Sequence, residues 1–97
     1  AKGGLLTLTH HIARNYAKNG IRCNWVTVGW VITPGEIEVW EREKRSPEWI
    51  EEKAKEVVPL GRLQTAEEIG AAVAYLMSDD ADQVTDTELD ITGGLRV

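Results

Sequence analysis

The chain has 97 residues, of which 42% are apolar and 28% charged, and its formal net charge is −5. This composition is typical of one small globular domain, and the sequence contains no apolar run long enough to span a membrane. Basic and acidic residues are interleaved, so nucleic acid is not an expected partner. Cys23 is the only cysteine. A single cysteine excludes an internal disulfide and, without a secretory signal, predicts a cytoplasmic location.

Residues 1–20 predict a helix that runs from about Gly3 to Lys18. Its apolar residues recur at intervals of three and four and form one stripe. Asn19 and Gly20 should end the helix, because glycine adopts the left-handed conformation of a helix end without a steric clash. Residues 21–28 follow as a short strand with apolar residues on both faces, which is typical of an interior parallel strand.

Residues 29–58 form a long loop region with a helix from Pro47 to about Val57, begun by the capping residue Ser46. Residues 59–78 contain a turn and a second helix, whose start is the capping box Thr65-Ala66-Glu67-Glu68. Residues 79–97 hold an acidic turn, a strand from Thr87 to Ile91 and a tail. The order of helix, strand, helices and strand predicts an α/β fold, specifically part of a doubly wound parallel sheet.

Four segments in this order resemble the C-terminal part of the short-chain dehydrogenase/reductase family. They are Lys2–Leu6, Val28–Glu36, Pro59–Ile69 and Val84–Gly94. The resemblance covers nearly the whole chain and implies the C-terminal portion of a Rossmann-like domain. Two positions depart from the family pattern: Asp86 replaces a usual glycine, and Thr92 replaces a frequent aspartate. Aspartate tolerates positive φ better than most residues, so little strain is expected at position 86.

The resemblance assigns Lys2 a catalytic and a cofactor-binding role in a parent enzyme. In the family, a lysine at this position lowers the pKa of a tyrosine four residues earlier and holds the nicotinamide ribose. That tyrosine would be the general acid/base, and its position lies outside this sequence. Taken alone, Lys2 is a lysine near a chain end, exposed to solvent.

The resemblance also places the nicotinamide end of the cofactor at the loop after the first strand. Gly29 and Thr33 fit the family spacing, although Val28 stands where proline is usual. The backbone at Val31 would meet the carboxamide and Thr33 would hydrogen-bond it. The alternative for Thr33 is a hydroxyl that closes a turn before Pro34.

Residues 34–58 correspond to the family's substrate lid. Three tryptophans lie in or beside it: Trp30, Trp40 and Trp49. Large rings favour an apolar or ring-bearing substrate, but they fill cores and interfaces equally well.

No metal site is expected. His10 and His11 are adjacent and therefore point to different sides of a helix. Asp79, Asp80 and Asp82 lack the spacing of a calcium loop.

Two functional hypotheses remain open. The first is a fragment of an NAD(P)-dependent oxidoreductase, whose parent transfers hydride at a carbonyl or secondary alcohol of a small molecule. The sequence contains no Gly-rich phosphate loop, so the fragment alone should be inactive and bind neither NAD nor NADP tightly. The second is a truncated or split interaction module that forms homo-oligomers or pairs with an N-terminal half.

Overall fold

The computed structural model describes residues 2–96 and consists of alternating helices and strands. Ala1 and Val97, the ends of the predicted segments 1–20 and 79–97, lie outside the described residues. None of the described helices is both long and apolar enough to cross a bilayer. The elements are α1 Lys2–Tyr16, β1 Trp25–Val28, β2 Val31–Ile32, α2 Pro34–Arg42, α3 Pro47–Val57, β3 Gln64–Thr65, α4 Ala66–Met77 and β4 Glu88–Ile91, with 3-10 turns at Ala17–Asn19 and Asp79–Ala81.

The strands form two parallel pairs. In the first pair, β1 lies beside β4. The N–H of Trp25 donates to the carbonyl of Thr87 at 2.9 Å, and the N–H of Gly29 donates to the carbonyl of Ile91 at 3.2 Å. The bonding advances by four residues along each strand in the same direction, so this pair is parallel. In the second pair, β2 runs parallel to β3. The predicted α/β fold is confirmed.

The described residues divide into two compact units. Unit 1 contains residues 2–27 and 72–90, and unit 2 contains residues 28–71 and 91–96. In unit 1 the buried residues are Thr9 and Ala13 of α1, Leu76 of α4 and Ala81. Gly20 ends the first helical segment with a φ of 77°, as its sequence predicts.

The core of unit 2 lies against α3. Ile50, Ala54 and Leu63 are buried together, and Trp30 and Trp40 pack against them. Ile50 and Ala54 are four residues apart and therefore share one face of α3. Ser46 begins this helix as predicted, because its hydroxyl accepts from the N–H of Trp49 at 3.0 Å.

The first strand is shorter than predicted and begins at Trp25 rather than at residue 21. Just before this point, side-chain bonds accompany a single backbone bond, in which the N–H of Asp86 donates to the carbonyl of Cys23 at 2.9 Å. The N–H of Cys23 donates to the Thr85 hydroxyl at 3.2 Å, and the Asn24 amide contacts the carbonyl of Val84 and the N–H of Thr87. The bonding of residues 23 and 24 is therefore a mixture of side-chain and backbone bonds, and the regular strand starts at Trp25.

Candidate functional site

The loop that leaves β1 begins at a tightly packed glycine. The N–H of Gly29 has two acceptors, the carbonyl of Ile91 at 3.2 Å and Oε1 of Gln64 at 2.9 Å. A Cβ added at Gly29 would lie 2.9 Å from Gln64 Oε1 and 3.0 Å from both Cα and the carbonyl oxygen of Thr92. Position 29 therefore requires glycine because of close packing, and the backbone there is fixed on more than one side.

The middle of the loop is held by strand pairing. Val31 lies opposite Gln64 and Ile32 opposite Thr65 in the parallel pair β2–β3. In addition, the N–H of Gln64 donates to the carbonyl of Trp30 at 2.9 Å. The backbone around Val31, which the family resemblance assigns to the nicotinamide end of a cofactor, is thus fixed by a segment more than 30 residues later in the chain.

Sequence reasoning did not identify Gln64. Its side chain is 7% exposed, and its amide bonds Gly29 through Oε1 and the carbonyl of Ile91 through Nε2. Glutamine is usually exposed, so a buried one is informative. The only sequence signal is its place directly before the capping residue Thr65, and that position does not by itself indicate burial.

Thr33 ends the loop and begins α2. Its hydroxyl accepts from the N–H of Glu36 at 3.1 Å, and Pro34 occupies the first turn of the helix. The side chain therefore caps a helix, α2, that the sequence did not predict; the sequence offered only a hydroxyl closing a turn before Pro34 as the alternative to cofactor binding. Accepting this bond uses an oxygen lone pair and leaves the hydroxyl proton able to donate. The two roles of Thr33 are compatible.

These features fit the carboxamide end of a nicotinamide cofactor. A fixed loop at the carboxyl end of a parallel strand is where open α/β sheets bind ligands. Thr33 is only partly buried, so its O–H can reach a bound acceptor. Because the loop is held by Gly29 and by the β2–β3 pair, it would need little rearrangement on binding.

Lys2 is the first described residue of α1 and is exposed. It belongs to unit 1, whereas Gly29, Val31 and Thr33 belong to unit 2. The structure brings the last three together in one loop and places Lys2 on a separate element. The catalytic and cofactor-binding roles of Lys2 therefore stay predictions.

The three tryptophans of the predicted lid differ in their surroundings. Trp30 and Trp40 pack against the core of unit 2. Trp49 is 38% exposed, and the Arg45 guanidinium lies 4.1 Å from the centre of its ring. This geometry is that of a cation–π contact. Trp30 and Trp40 have the core role that the sequence left open, while Trp49 presents its ring to solvent.

An open cleft of about 330 Å³ lies beside the loop in unit 2. Its apolar wall comes from Ile32, Ile50, Ala54 and Leu63, and its volume lies at the lower end of the range of small-molecule pockets. The remaining lining residues are Pro47, Glu51, Lys55, Gly61, Arg62 and Thr65, so none of the three lid tryptophans lines it.

The capping box that follows β3 is formed as predicted. The Thr65 hydroxyl accepts from the N–H of Glu68 at 3.2 Å, and the Glu68 carboxylate accepts from the N–H of Thr65 at 2.9 Å. Glu68 also accepts two bonds from Arg62, at 2.8 and 2.6 Å. Mainly through the Arg62 bonds, and also through the Thr65 N–H, the pKa of Glu68 falls from 4.5 to about 2.

Asp86 lies in the turn before β4 and bonds to side chains of α1, within unit 1. It has a φ of 59°, the left-handed conformation that the sequence anticipated. His10 Nδ1 contacts one carboxylate oxygen, and Arg14 Nε donates to the other at 2.9 Å. These bonds, His10 first and Arg14 second, hold the pKa of Asp86 below its usual value. Across residues 2–96, no three His, Cys, Asp or Glu side chains are grouped to hold a metal ion.

A family model described as Enoyl-(Acyl carrier protein) reductase matches residues 1–96. Human (3R)-3-hydroxyacyl-CoA dehydrogenase is 35% identical over 95 residues, which are 98% of this chain and 34% of that protein. Glucose 1-dehydrogenase 2 of Bacillus subtilis (strain 168) is 33% identical over 97 residues, all of this chain and 35% of the relative. The chain thus spans about a third of the length of these relatives.

Solved structures show the same likeness. The NADPH-bound short chain oxidoreductase of Pseudomonas aeruginosa PAO1, which contains an atypical catalytic center, has a TM-score of 0.84 and 27% identity. The match covers 97% of this chain and 36% of that one. The 3-oxoacyl-[acyl-carrier protein] reductase of Brucella melitensis ATCC 23457 has a TM-score of 0.79 and 26% identity, over 99% and 33% of the two chains. The chain belongs to the short-chain dehydrogenase/reductase family.

Proposed function

We propose that this chain supplies the C-terminal part of an NAD(P)-dependent oxidoreductase that acts on a carbonyl or a secondary alcohol. The observation that carries the proposal is the loop from Gly29 to Thr33. It follows a parallel strand, its backbone is fixed, and it ends in a hydroxyl that can still donate. The family relationship supports the same function.

In this proposal the chain's residues bind and orient the cofactor. The backbone at Val31 and the hydroxyl of Thr33 hold the carboxamide, and Lys2 holds the ribose. When bound, the nicotinamide supplies the hydride chemistry. Lys2 also favours the ionised form of a tyrosine contributed by the whole protein, because a nearby cation stabilises a phenolate.

The substrate in this proposal is a small apolar or ring-bearing molecule. The cleft beside the loop has an apolar wall of Ile32, Ile50 and Leu63, and the exposed ring of Trp49 belongs to the same unit. Apolar walls with a few polar groups are typical of sites for such ligands.

The test is a titration of the full-length protein with NADH and NADPH, followed by tryptophan fluorescence. Thr33→Ser keeps both the cap and the donor and should bind cofactor as the unaltered protein does. Thr33→Asp keeps the cap but cannot donate when ionised, so its affinity should fall. Ser46→Asp makes the corresponding change at the start of α3 and should leave affinity unchanged.

Two results would contradict this function. One is an unaltered full-length protein that binds neither cofactor, and the other is a Thr33→Asp protein that binds as tightly as the unaltered one. The 97-residue chain alone should show no tight binding, because it offers no phosphate loop.

A second candidate function is association with another chain. Unit 1 exposes large apolar side chains: Leu5 at 56% and Leu8 at 50% on α1, and Met77 at 79% on α4. Exposed apolar surface of this kind favours a partner, either a second copy or an N-terminal half. Light scattering of the isolated chain should show a dimer or larger assembly, and Leu8→Gln should weaken it. A stable monomer at micromolar concentration would rule out self-association.

A further inference from the structure

We propose that Gln64 is a positioning residue, which fixes the loop from Gly29 to Thr33 in the conformation that receives the nicotinamide cofactor. This inference rests on the proposed function. Gln64 lies on β3 and acts through the backbone of the loop. Its side chain is 7% exposed, and both ends of its amide bond to backbone groups.

The chemistry of the amide matches the two groups it meets. Oε1 accepts from the N–H of Gly29 at 2.9 Å, while Nε2 donates to the carbonyl of Ile91. A glutamine offers an acceptor and a donor on one rigid plane. A carboxylate could not donate to Ile91, and an aliphatic side chain could make neither bond. The amide thereby links Gly29 and Ile91 to β3, all within unit 2.

The backbone bond between Gly29 and Ile91 does not depend on the Gln64 amide. The N–H of Gly29 already donates to the carbonyl of Ile91 at 3.2 Å. Removing the Gln64 amide would therefore leave both backbone groups with a partner, and the penalty for an unsatisfied buried group would be avoided. The extra bonds act at Gly29, where the chain leaves β1 and its direction determines the course of the loop.

The backbone of Gln64 connects the same residue to the rest of the loop. Its N–H donates to the carbonyl of Trp30, and its Cα lies opposite Val31 in the β2–β3 pair. Consequently, Gln64 holds three successive loop positions, the first by its side chain and the next two by its backbone. Of these three attachments to the loop, a substitution of the Gln64 side chain removes only the bond to Gly29 and leaves the backbone bonds in place. The effect of the side-chain attachment can therefore be measured separately.

The test compares Gln64→Met with the unaltered full-length protein. Methionine has a similar length, is apolar, and adapts to irregular packing, so the fold should be retained. Gln64→Leu is a second variant. The control is Gln83→Met, which is the same Gln-to-Met change at an exposed position. The measurements are amide hydrogen exchange at Gly29, thermal stability, and the dissociation constants for NADH and NADPH below the unfolding transition.

We expect faster exchange at Gly29 and a dissociation constant raised between about fivefold and thirtyfold, which corresponds to one or two net hydrogen bonds. Gln83→Met should change neither. A purely structural residue would lower the unfolding temperature without changing cofactor affinity in the folded protein.

Three outcomes would overturn the inference. In the first, the Gln64 variants fold and bind cofactor as tightly as the unaltered protein, which leaves the proposed function intact. In the second, neither variant folds, which would assign Gln64 to stability alone. In the third, the unaltered protein binds no nicotinamide cofactor, which refutes the proposed function itself. Exchange at Gly29 would then show separately whether Gln64 fixes the loop.

Discussion

The packing around Gly29 gives a prediction with an internal control. In a Gly29→Ala protein, the new Cβ would lie 2.9 Å from Gln64 Oε1 and 3.0 Å from Thr92 Cα and its carbonyl oxygen. Ordinary van der Waals contact begins near 3.4 Å, so each neighbour would have to move by 0.4 to 0.5 Å. Thr92 is buried and contributes backbone atoms, while the Gln64 amide is held by two bonds. Overpacking of this kind lowers the free energy of unfolding by about 1 to 3 kcal/mol.

Gly70 provides the control. It lies in the middle of α4, and a Cβ there would meet no heavy atom within 4 Å. Alanine in a helix interior is favoured over glycine by roughly 0.5 to 1 kcal/mol, so Gly70→Ala should stabilise the protein. Both substitutions remove the same conformational freedom from the unfolded chain, and this effect cancels in the comparison. The difference between the two variants therefore measures the close packing at Gly29.

Urea unfolding, followed by tryptophan fluorescence, measures both variants. A loss of about 2 kcal/mol lowers the midpoint by about 1 M for a small domain. The midpoint of Gly29→Ala should therefore fall, and that of Gly70→Ala should rise. A Gly29→Ala midpoint equal to or above that of the unaltered protein would refute the packing argument. A Gln64→Ala background should recover part of the loss, because it removes one of the crowded atoms.

Three further changes test other parts of the fold. Gly93→Ala should lower the free energy of unfolding by about 2 kcal/mol or more, because φ is 64° and the Cβ would lie 2.8 Å from Val58 Cγ1; a loss below 1 kcal/mol in urea would contradict this. Ser46→Ala should cost about 1 kcal/mol through loss of the α3 cap, and equal urea midpoints would argue against the cap. The depressed pKa of Glu68, about 2, means that its bond to Arg62 stabilises the protein fully above pH 4.5 and that this stabilisation disappears as the pH falls through 2. Thermal melts across this range should show an extra decline that Glu68→Gln lacks.

The starts of α3 and α4 could be predicted from the sequence because their causes are local, whereas the start of α2 at Thr33 was missed. Ser46 and the box formed by Thr65 and Glu68 each satisfy backbone groups within three residues. The extent of the first strand could not be predicted in the same way. Before Trp25, the side chains of Asn24 and Thr85 share the bonding with one backbone bond, and these bonds depend on contacts about 60 residues apart.

The candidate site was predictable in part. The family resemblance at Gly29 and Thr33 pointed to the loop, and the sequence placed the Thr33 hydroxyl at a turn before Pro34, but it did not predict the helix that this hydroxyl caps. The short pair β2–β3 has only two residues in each strand, too few for an alternating pattern to be visible. The burial of Gln64 could not be predicted from the sequence either. It results from the β2–β3 pairing and not from the residues next to Gln64 in the chain.

The contacts of the loop also indicate how distant substitutions would act on the proposed cofactor site. Gly29 is held by Gln64 and Ile91, the following three positions by β3, and Thr33 by the first turn of α2. A loop held at each end and in its middle is ordered by folding, so a ligand does not have to supply that ordering free energy when it binds. Substitutions in β3 should therefore weaken the proposed cofactor site without touching the cofactor. Substitutions at the exposed face of α3, which makes none of these bonds, should leave affinity unchanged.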